Sequence, residues 1–344
     1  MKKKRIGMLS LLLCALTAVL CFAACSKDPG SDNSGSQSSK TGRISVVTTI
    51  FPEYDWTRQI LGESTDDIDL KLLIGSGVDL HSYQPSVDDI MLISSCDVFV
   101  YVGGESDRWV TEALSQAQNK NMKVVKLIDV IGSAAKTEEA VEGMQEHDHD
   151  DNDSGSEHED PEYDEHIWLS VNNAALCCDA ITDALSKAIP DKADTFRSNS
   201  ESYKKQLSAL DADYRAAVSE KGNADTIVVG DRFPFRYLVD DYNIKYFAAF
   251  SGCSAETEAS FETIVFLAGK VDELKLGVII QTESSDGSVA KTIRSNTKTA
   301  DQNILTLDSM QSVTQENIQN GTTYLSVMKS NLAVLKEALG SVKS

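Results

Sequence analysis

Apolar positions along this chain fall into short β-branched runs separated by stretches of helical spacing. In the first half the runs are Ile44–Ile50, Ile68–Ile74, Val98–Val102 and Val124–Leu127, with Pro52–Leu61, Ser86–Ser94 and Trp109–Ala117 reading as helices between them. Strands that are apolar on both faces and alternate with helices indicate a parallel sheet covered on both sides. Ser86 can cap its helix, with Asp89 three residues on. Asn172–Ala188 then reads as a helix stopped by Pro190, and Asp191 can cap a second one running to about Ser219. The apolar positions of that long helix are Phe196, Tyr203, Leu207, Leu210, Tyr214 and Ala217; at 1.5 Å per residue it reaches about 40 Å. Beyond it the alternation resumes. Thr226–Val229, Ile244–Phe247, Leu276–Ile280 and Ile304–Leu307 read as strands, and Phe235–Asp240, Glu258–Leu274, Val289–Thr297 and Tyr324–Leu339 as helices. The pattern predicts two similar α/β halves joined by a long helix.

The first 25 residues follow a different rule. Met1-Lys2-Lys3-Lys4-Arg5 is basic, Ile6–Phe22 is apolar, and Ala23-Ala24-Cys25 offers small residues at a cut site. This is the layout of a secretory signal peptide, residues 1–24. A Cys directly after the cut is the lipobox arrangement, so Cys25 is the expected lipidation site and the protein is expected outside the cytoplasm, anchored to the cell membrane. A spanning helix is the alternative, but the run is about the minimum length and ends without a basic stop signal. Residues 25–43 are rich in Ser and Gly and read as a lipidated flexible tether. The remaining boundaries are an N-terminal domain over 44–170, linker helices over 171–222 and a C-terminal domain over 223–344.

Charge narrows the partners. The 344 residues carry a formal charge of −21, and removing the signal takes away four positive side chains, leaving −25. Such a surface has no basic face to displace counterions from phosphates, so nucleic acid is excluded as a partner, whereas cations are concentrated near it. Acidity peaks between Thr137 and Glu165, where fourteen Asp or Glu occur with no Lys or Arg, together with His147, His149 and His158. Composition predicts that this insert, 134–165, is a mobile loop unable to fold alone; its three histidines are candidates for accessory metal capture. Cys96, Cys177, Cys178 and Cys253 form no CxxC pair; they read as buried small hydrophobes rather than a zinc knuckle, with disulfide pairing left open.

The two histidines outside the insert carry the chemistry. His81 lies in Gly75-Ser76-Gly77-Val78-Asp79-Leu80-His81-Ser82-Tyr83-Gln84-Pro85, after the second strand, and His166 in Asp164-Glu165-His166-Ile167-Trp168-Leu169-Ser170. Ligands of open α/β sheets bind outside the carboxyl ends of strands, where His81 falls. A lone loop histidine is more often a packing residue, but two flanking an acidic, His-containing insert point to metal. Asp231 and Asp308 follow strands in the second half; periodicity alone reads each as a helix cap before a ligand. No HExxH, GxSxG or GxGxxG motif is present, so an enzyme is not expected.

These residues resemble the metal-binding lipoproteins of bacterial ABC importers for zinc or manganese. The resemblance covers essentially everything after Cys25, and rests on the Gly…His81…Pro85-Ser86 loop, the acidic insert before Asp-Glu-His166-Ile-Trp-Leu-Ser, the long helix and Leu307-Asp308-Ser309. It implies two Rossmann-like domains joined by a rigid linker helix, with a metal cleft between them and four ligands, one per loop: His81, His166, Asp231 and Asp308. It further implies a monomer that delivers its ion to a membrane permease. The chain departs from the commonest zinc pattern in having Asp231 where His is usual, Leu80 where Pro often precedes the first His, and Cys253 without a later Cys. Two imidazoles and the acidic insert favour Zn2+, with Mn2+ as the alternative because carboxylates suit it equally. A surface adhesin or a metal-dependent hydrolase are the readings from other classes.

Overall fold

The computed structural model describes residues 43–63, 67–145, 163–220, 224–254 and 258–341. The signal peptide, Cys25, the tether and His147, His149 and His158 lie outside the described residues. In the first half β1 (Ile44–Thr48), β2 (Ile68–Leu72), β3 (Val98–Tyr101) and β4 (Lys123–Lys126) form a parallel sheet in the order β2-β1-β3-β4. In the second, β5 (Thr226–Phe233), β6 (Lys245–Ser251), β7 (Val278–Thr282) and β8 (Asn303–Leu307) repeat the topology as β6-β5-β7-β8. Strand order reverses between β1 and β3 and between β5 and β7, which opens a crevice at the carboxyl end of each sheet.

Alternation along the strands explains the layers. Val46, Val98 and Val100 enter a core shared by both halves, while Val47 and Phe99 face Ile93, Cys96 and Val110 on the other side. In the second sheet Ile227, Val229, Val278 and Ile280 enter the shared core, and Val228 and Ile279 meet Ile264, Leu267, Ala290 and Ile293. Those partners come from α2 (Val87–Ser95) with its C-cap Cys96 and from α3 (Trp109–Ser115) in the first half, and from α8 (Phe261–Glu273) and α9 (Ser288–Ser295) in the second. The Ser86 cap forms as expected, with Asp89 N–H on Ser86 Oγ at 3.2 Å and Ser86 N–H on Asp89 Oδ2 at 2.8 Å.

The long helix is α6 (Ala193–Val218), packed on α5 (Val171–Ala188), α1 (Phe51–Leu61) and α11 (Tyr324–Gly340). Three short helices, α4 (Leu127–Ile131), α7 (Arg236–Tyr242) and α10 (Gln315–Gln319), complete the α-helices of the described residues. All six of its expected apolar positions are buried. Asp191 does not cap it; that residue sits in a separate 3-10 turn, Pro190–Lys192, because Pro190 forces its own turn before the helix begins. Contacts between the halves are specific. Asp55 of α1 accepts the Tyr324 N–H at 2.8 Å, the Trp56 and Tyr324 rings meet edge to face at 5.2 Å, and Tyr214 of α6 donates to the Met328 carbonyl at 2.6 Å.

The reading of Thr137–Glu165 as one mobile loop is corrected at both ends. Lys136 N–H donates to Tyr237 Oη at 3.0 Å, Gln145 N–H to the Ala249 carbonyl at 3.0 Å, and Thr137 bridges Tyr163. Glu139 pairs with Arg236, Met144 is buried, and Asp164 and Glu165 are almost fully enclosed. The acidic composition hid a docked strap because its anchors are backbone groups and a few apolar side chains. Among the described residues the four cysteines are free, with Cys96, Cys177 and Cys178 buried, and no helix is long and apolar enough to cross a membrane.

Candidate metal centre

His81 occupies the middle of a 3-10 turn, Leu80–Ser82, that follows β2. Asp79 caps it, accepting the His81 N–H at 3.0 Å, and buried Leu80 anchors it in the core. The other Asp79 oxygen takes Arg232 Nη2 at 2.7 Å, tying this turn to β5. His81 Nδ1 lies 2.8 Å from Ser106 Oγ and 3.5 Å from Glu165 Oε2. That leaves Nε2 pointing into the space between the halves.

His166 precedes a second 3-10 turn, Ile167–Leu169, and is fully buried. Its backbone N–H and its Nδ1 both meet Asp164 Oδ1, at 2.8 and 2.9 Å. The segment is fastened from the second half. Tyr237 Oη donates to the Asp164 carbonyl at 2.9 Å, Trp168 Nε1 to the Ser309 carbonyl at 2.8 Å, and Tyr324 Oη to the Trp168 carbonyl at 2.7 Å. Gly252 makes room for the ring: a Cβ there would stand 3.0 Å from His166 Cε1 and from the Phe233 carbonyl.

The outcome is that His81 Nε2 and His166 Nε2 face each other at 3.2 Å. Tetrahedral ligation with Zn–N bonds of about 2.0–2.1 Å puts two nitrogens about 3.3 Å apart. Each Nδ1 faces an oxygen, Ser106 Oγ for His81 and Asp164 Oδ1 for His166; with a proton held on each Nδ1, both Nε2 lone pairs would face one place, as outer-shell partners arrange for metal-binding histidines. Burial, followed by the neighbouring His166, pushes His81 down to about 4. Burial also opposes charge on His166, but the Asp164 carboxylate and its hydrogen bond outweigh it and raise that histidine. Glu165 Oε1 accepts the Ser106 N–H at 2.6 Å, and burial pushes its carboxyl up to about 7.

Among the described residues, the group of three metal-capable side chains that converges is His81, His166 and Cys253, with donor atoms within 4.8 Å of one another. Asp231 and Asp308 are outside it. Asp231 Oδ2 accepts both the N–H and the Oγ1–H of Thr282, at 3.0 and 2.7 Å, and Oδ1 accepts the Arg232 N–H at 2.8 Å. The Thr282 bonds join β5 to β7. Asp308 follows β8, accepts the Met310 N–H at 2.7 Å and is pushed up to about 6 by burial and then by the Glu283 charge. Glu283 itself gathers the Ser309 and Gln311 N–H groups and the Ser309 and Ser312 hydroxyls.

Residues 46–338 match the sequence model of ZnuA, described as the zinc-uptake complex component A, periplasmic. The chain belongs to the ZnuA family. The zinc-binding lipoprotein AdcA of Streptococcus pneumoniae serotype 4 is 32% identical over 335 residues, which is 97% of this chain but 61% of that protein. The chain thus spans about 61% of the length of this curated relative. The high-affinity zinc uptake system protein ZnuA of Bacillus subtilis is 30% identical over 339 residues, 98% of this chain and 99% of that one. In structure, the Zn(II)-bound ZnuA-like domain of S. pneumoniae AdcA matches with a TM-score of 0.66 at 29% identity, covering 87% of this chain and 100% of the domain. The metal-dependent lipoprotein YcdH of B. subtilis gives 0.67 at 26%, covering 87% of this chain and 100% of that one. Two parallel-sheet α/β domains are therefore the ZnuA-family fold, as expected from the alternation of runs and helices.

Asp164, Glu165, Ser106 and the Asp79–Arg232 pair position the two histidines here, and sequence reading gave them no such role. Asp164 and Glu165 adjoin His166 and were legible as acidic neighbours, but Ser106 and Arg232 reach the site only through the fold. Cys253 was noted for lacking a partner; its place just past β6, at a strand's carboxyl end, was the signal available.

Proposed function

We propose that this protein captures Zn2+ outside the cytoplasm and hands it to the membrane permease of an ABC importer. The observation that carries this is the 3.2 Å approach of two Nε2 atoms, each on a ring whose Nδ1 faces an oxygen partner. Imidazole pairs suit zinc, and raw affinity places zinc above manganese at nitrogen donors. The relatives named above as zinc-binding and zinc-uptake proteins support the same cargo. We read the site as a carrier rather than a catalyst: burial of His166 and its fastening to both halves favour capture over turnover. Lipid on Cys25 would hold the protein at the membrane near its permease.

His81 and His166 are the proposed primary ligands. Asp308 remains a proposed carboxylate donor. It adjoins Ser309, whose carbonyl holds Trp168, and the Trp168 ring lies 5.3 Å from that of His166. Asp231, with both oxygens engaged, is proposed as a structural tie. Chelator-competition titration tests the reading. His81→Ala and His166→Ala should each abolish tight zinc binding, while His147→Ala should leave it unchanged; equal losses at all three would point instead to a site on the acidic insert.

A further inference from the structure

We propose that Cys253 is the third zinc ligand, making the site a two-imidazole, one-thiolate centre selective for zinc over manganese. This rests on the zinc-capture reading and adds to it the donor that sets the choice of ion. Cys253 follows β6 in Gly252-Cys253-Ser254, and its Sγ lies within 4.8 Å of the donor nitrogens of both His81 and His166. Tetrahedral zinc with Zn–N of about 2.0–2.1 Å and Zn–S of about 2.3 Å places sulfur about 3.5 Å from each nitrogen. The thiol therefore has at most about 1.3 Å to close.

Three further observations place this residue at the histidine site. The Cys253 N–H is held by Glu138 Oε1 at 3.0 Å, so the docked strap fixes the backbone that carries it. A cavity of about 400 Å³ is lined by His81, Glu165 and Cys253 together, which gives a hydrated ion an approach to all three. Glu165 Oε2, on an almost fully buried side chain, has no hydrogen-bond partner and sits beside His81 Nδ1, where it can strengthen the imidazole once the ion binds. Cys96, Cys177 and Cys178 are buried, outside this group.

On binding, the S–H bond breaks, its electron pair forms the sulfur–metal bond, and the proton leaves to solvent. No oxidant or reductant is involved. The soft thiolate favours zinc, whereas manganese prefers oxygen donors. Asp231 lies outside this converging group, its carboxylate hydrogen-bonded to Thr282 and Arg232.

The test uses the full chain, freed of metal and loaded with Co2+ or Zn2+. With Co2+ the wild-type protein should show an intense ultraviolet sulfur-to-cobalt charge-transfer band, and Cys253→Ser should lose it. By chelator competition, Cys253→Ser and Cys253→Ala should bind zinc at least about tenfold more weakly, since losing even a supporting partner costs roughly 10–100-fold. Their preference for zinc over manganese should narrow. Absence of the band from wild type, its survival in Cys253→Ser, or unchanged zinc affinity in both variants would overturn the inference. His81→Ala separates the two claims. If it loses zinc while the Cys253 variants do not, the capture reading stands without the thiolate; if it binds as wild type, the capture reading itself falls.

Discussion

Asp164→Asn is the perturbation that most isolates how the protein tunes its histidines. Asp164 touches no ion in this account. It takes the His166 backbone N–H and Nδ1 on one oxygen, at 2.8 and 2.9 Å, and its carbonyl is gripped by Tyr237. Asparagine keeps the volume, and its amide oxygen can still accept both bonds, so the ring stays in place. What disappears is the negative charge that, against burial, raises His166. A less basic imidazole is a weaker ligand. Loss of a hydrogen-bonded carboxylate behind a metal-binding histidine costs about 10–100-fold in affinity, or about 1.4–2.7 kcal/mol. Zinc affinity from chelator competition at fixed pH, alongside a denaturant melt of the metal-free protein, reads both effects. Asp164→Asn should weaken zinc by that factor, far less than His166→Ala. Wild-type affinity would refute the idea that Asp164 tunes the ligand. A loss as large as that of His166→Ala would mean that the charge is needed to place the ring at all.

Other expectations follow from particular contacts. Asp231→Ala should cost roughly 1–3 kcal/mol of stability, because it strips Thr282 of a charged hydrogen-bond partner, yet change zinc affinity little; urea unfolding and zinc competition on the same samples separate the two. Leu207→Ala, at a fully buried position of α6, should cost about 2–5 kcal/mol and lower the denaturant midpoint of the whole molecule, since both halves pack on that helix. Asp107 is buried and pushed up to about 6, with Gly103 N–H on one oxygen and no partner on the other. A carboxyl raised on folding binds more protons folded than unfolded between about pH 4 and 6, so it lowers stability as pH rises through that window. Asp107→Asn should thus gain up to about 3 kcal/mol at pH 7 relative to wild type and gain little at pH 4; equal changes at both pH values would show that Asp107 is not the group responsible. Deleting residues 146–160 should leave equilibrium zinc affinity unchanged, because the docked strap and His166 remain. If those charges gather cations, association should slow in stopped flow at low ionic strength, where screening extends beyond about 8 Å.

Much of the fold was legible because both sheets are covered on both faces. Val46-Val47 and Ile227-Val228-Val229 cannot alternate with polar residues when each face is buried, so they read as continuous runs. The six buried positions of α6 kept their spacing for the same reason. Less visible was anything decided by distant chain. Within the 134–165 insert, Lys136–Gln145 looked unfoldable by composition, yet its backbone docks on Tyr237 and Ala249, which sequence order places about a hundred residues away. His81 and His166 were found from their loops, and the fold turns their Nε2 atoms together. Asp231 is a ligand candidate only through the family resemblance, and the fold adds the bonds from Thr282 that its carboxylate accepts. Cys253 carried only the weak signal of a place past a strand's carboxyl end, and the fold brings it beside the histidines.

Zinc-edge anomalous diffraction from crystals of the zinc-loaded protein tests the central claim most directly. The account predicts one strong anomalous peak between His81 and His166, about 2.0–2.1 Å from each Nε2. A peak elsewhere, with these two nitrogens left facing each other and no ion between them, would contradict it.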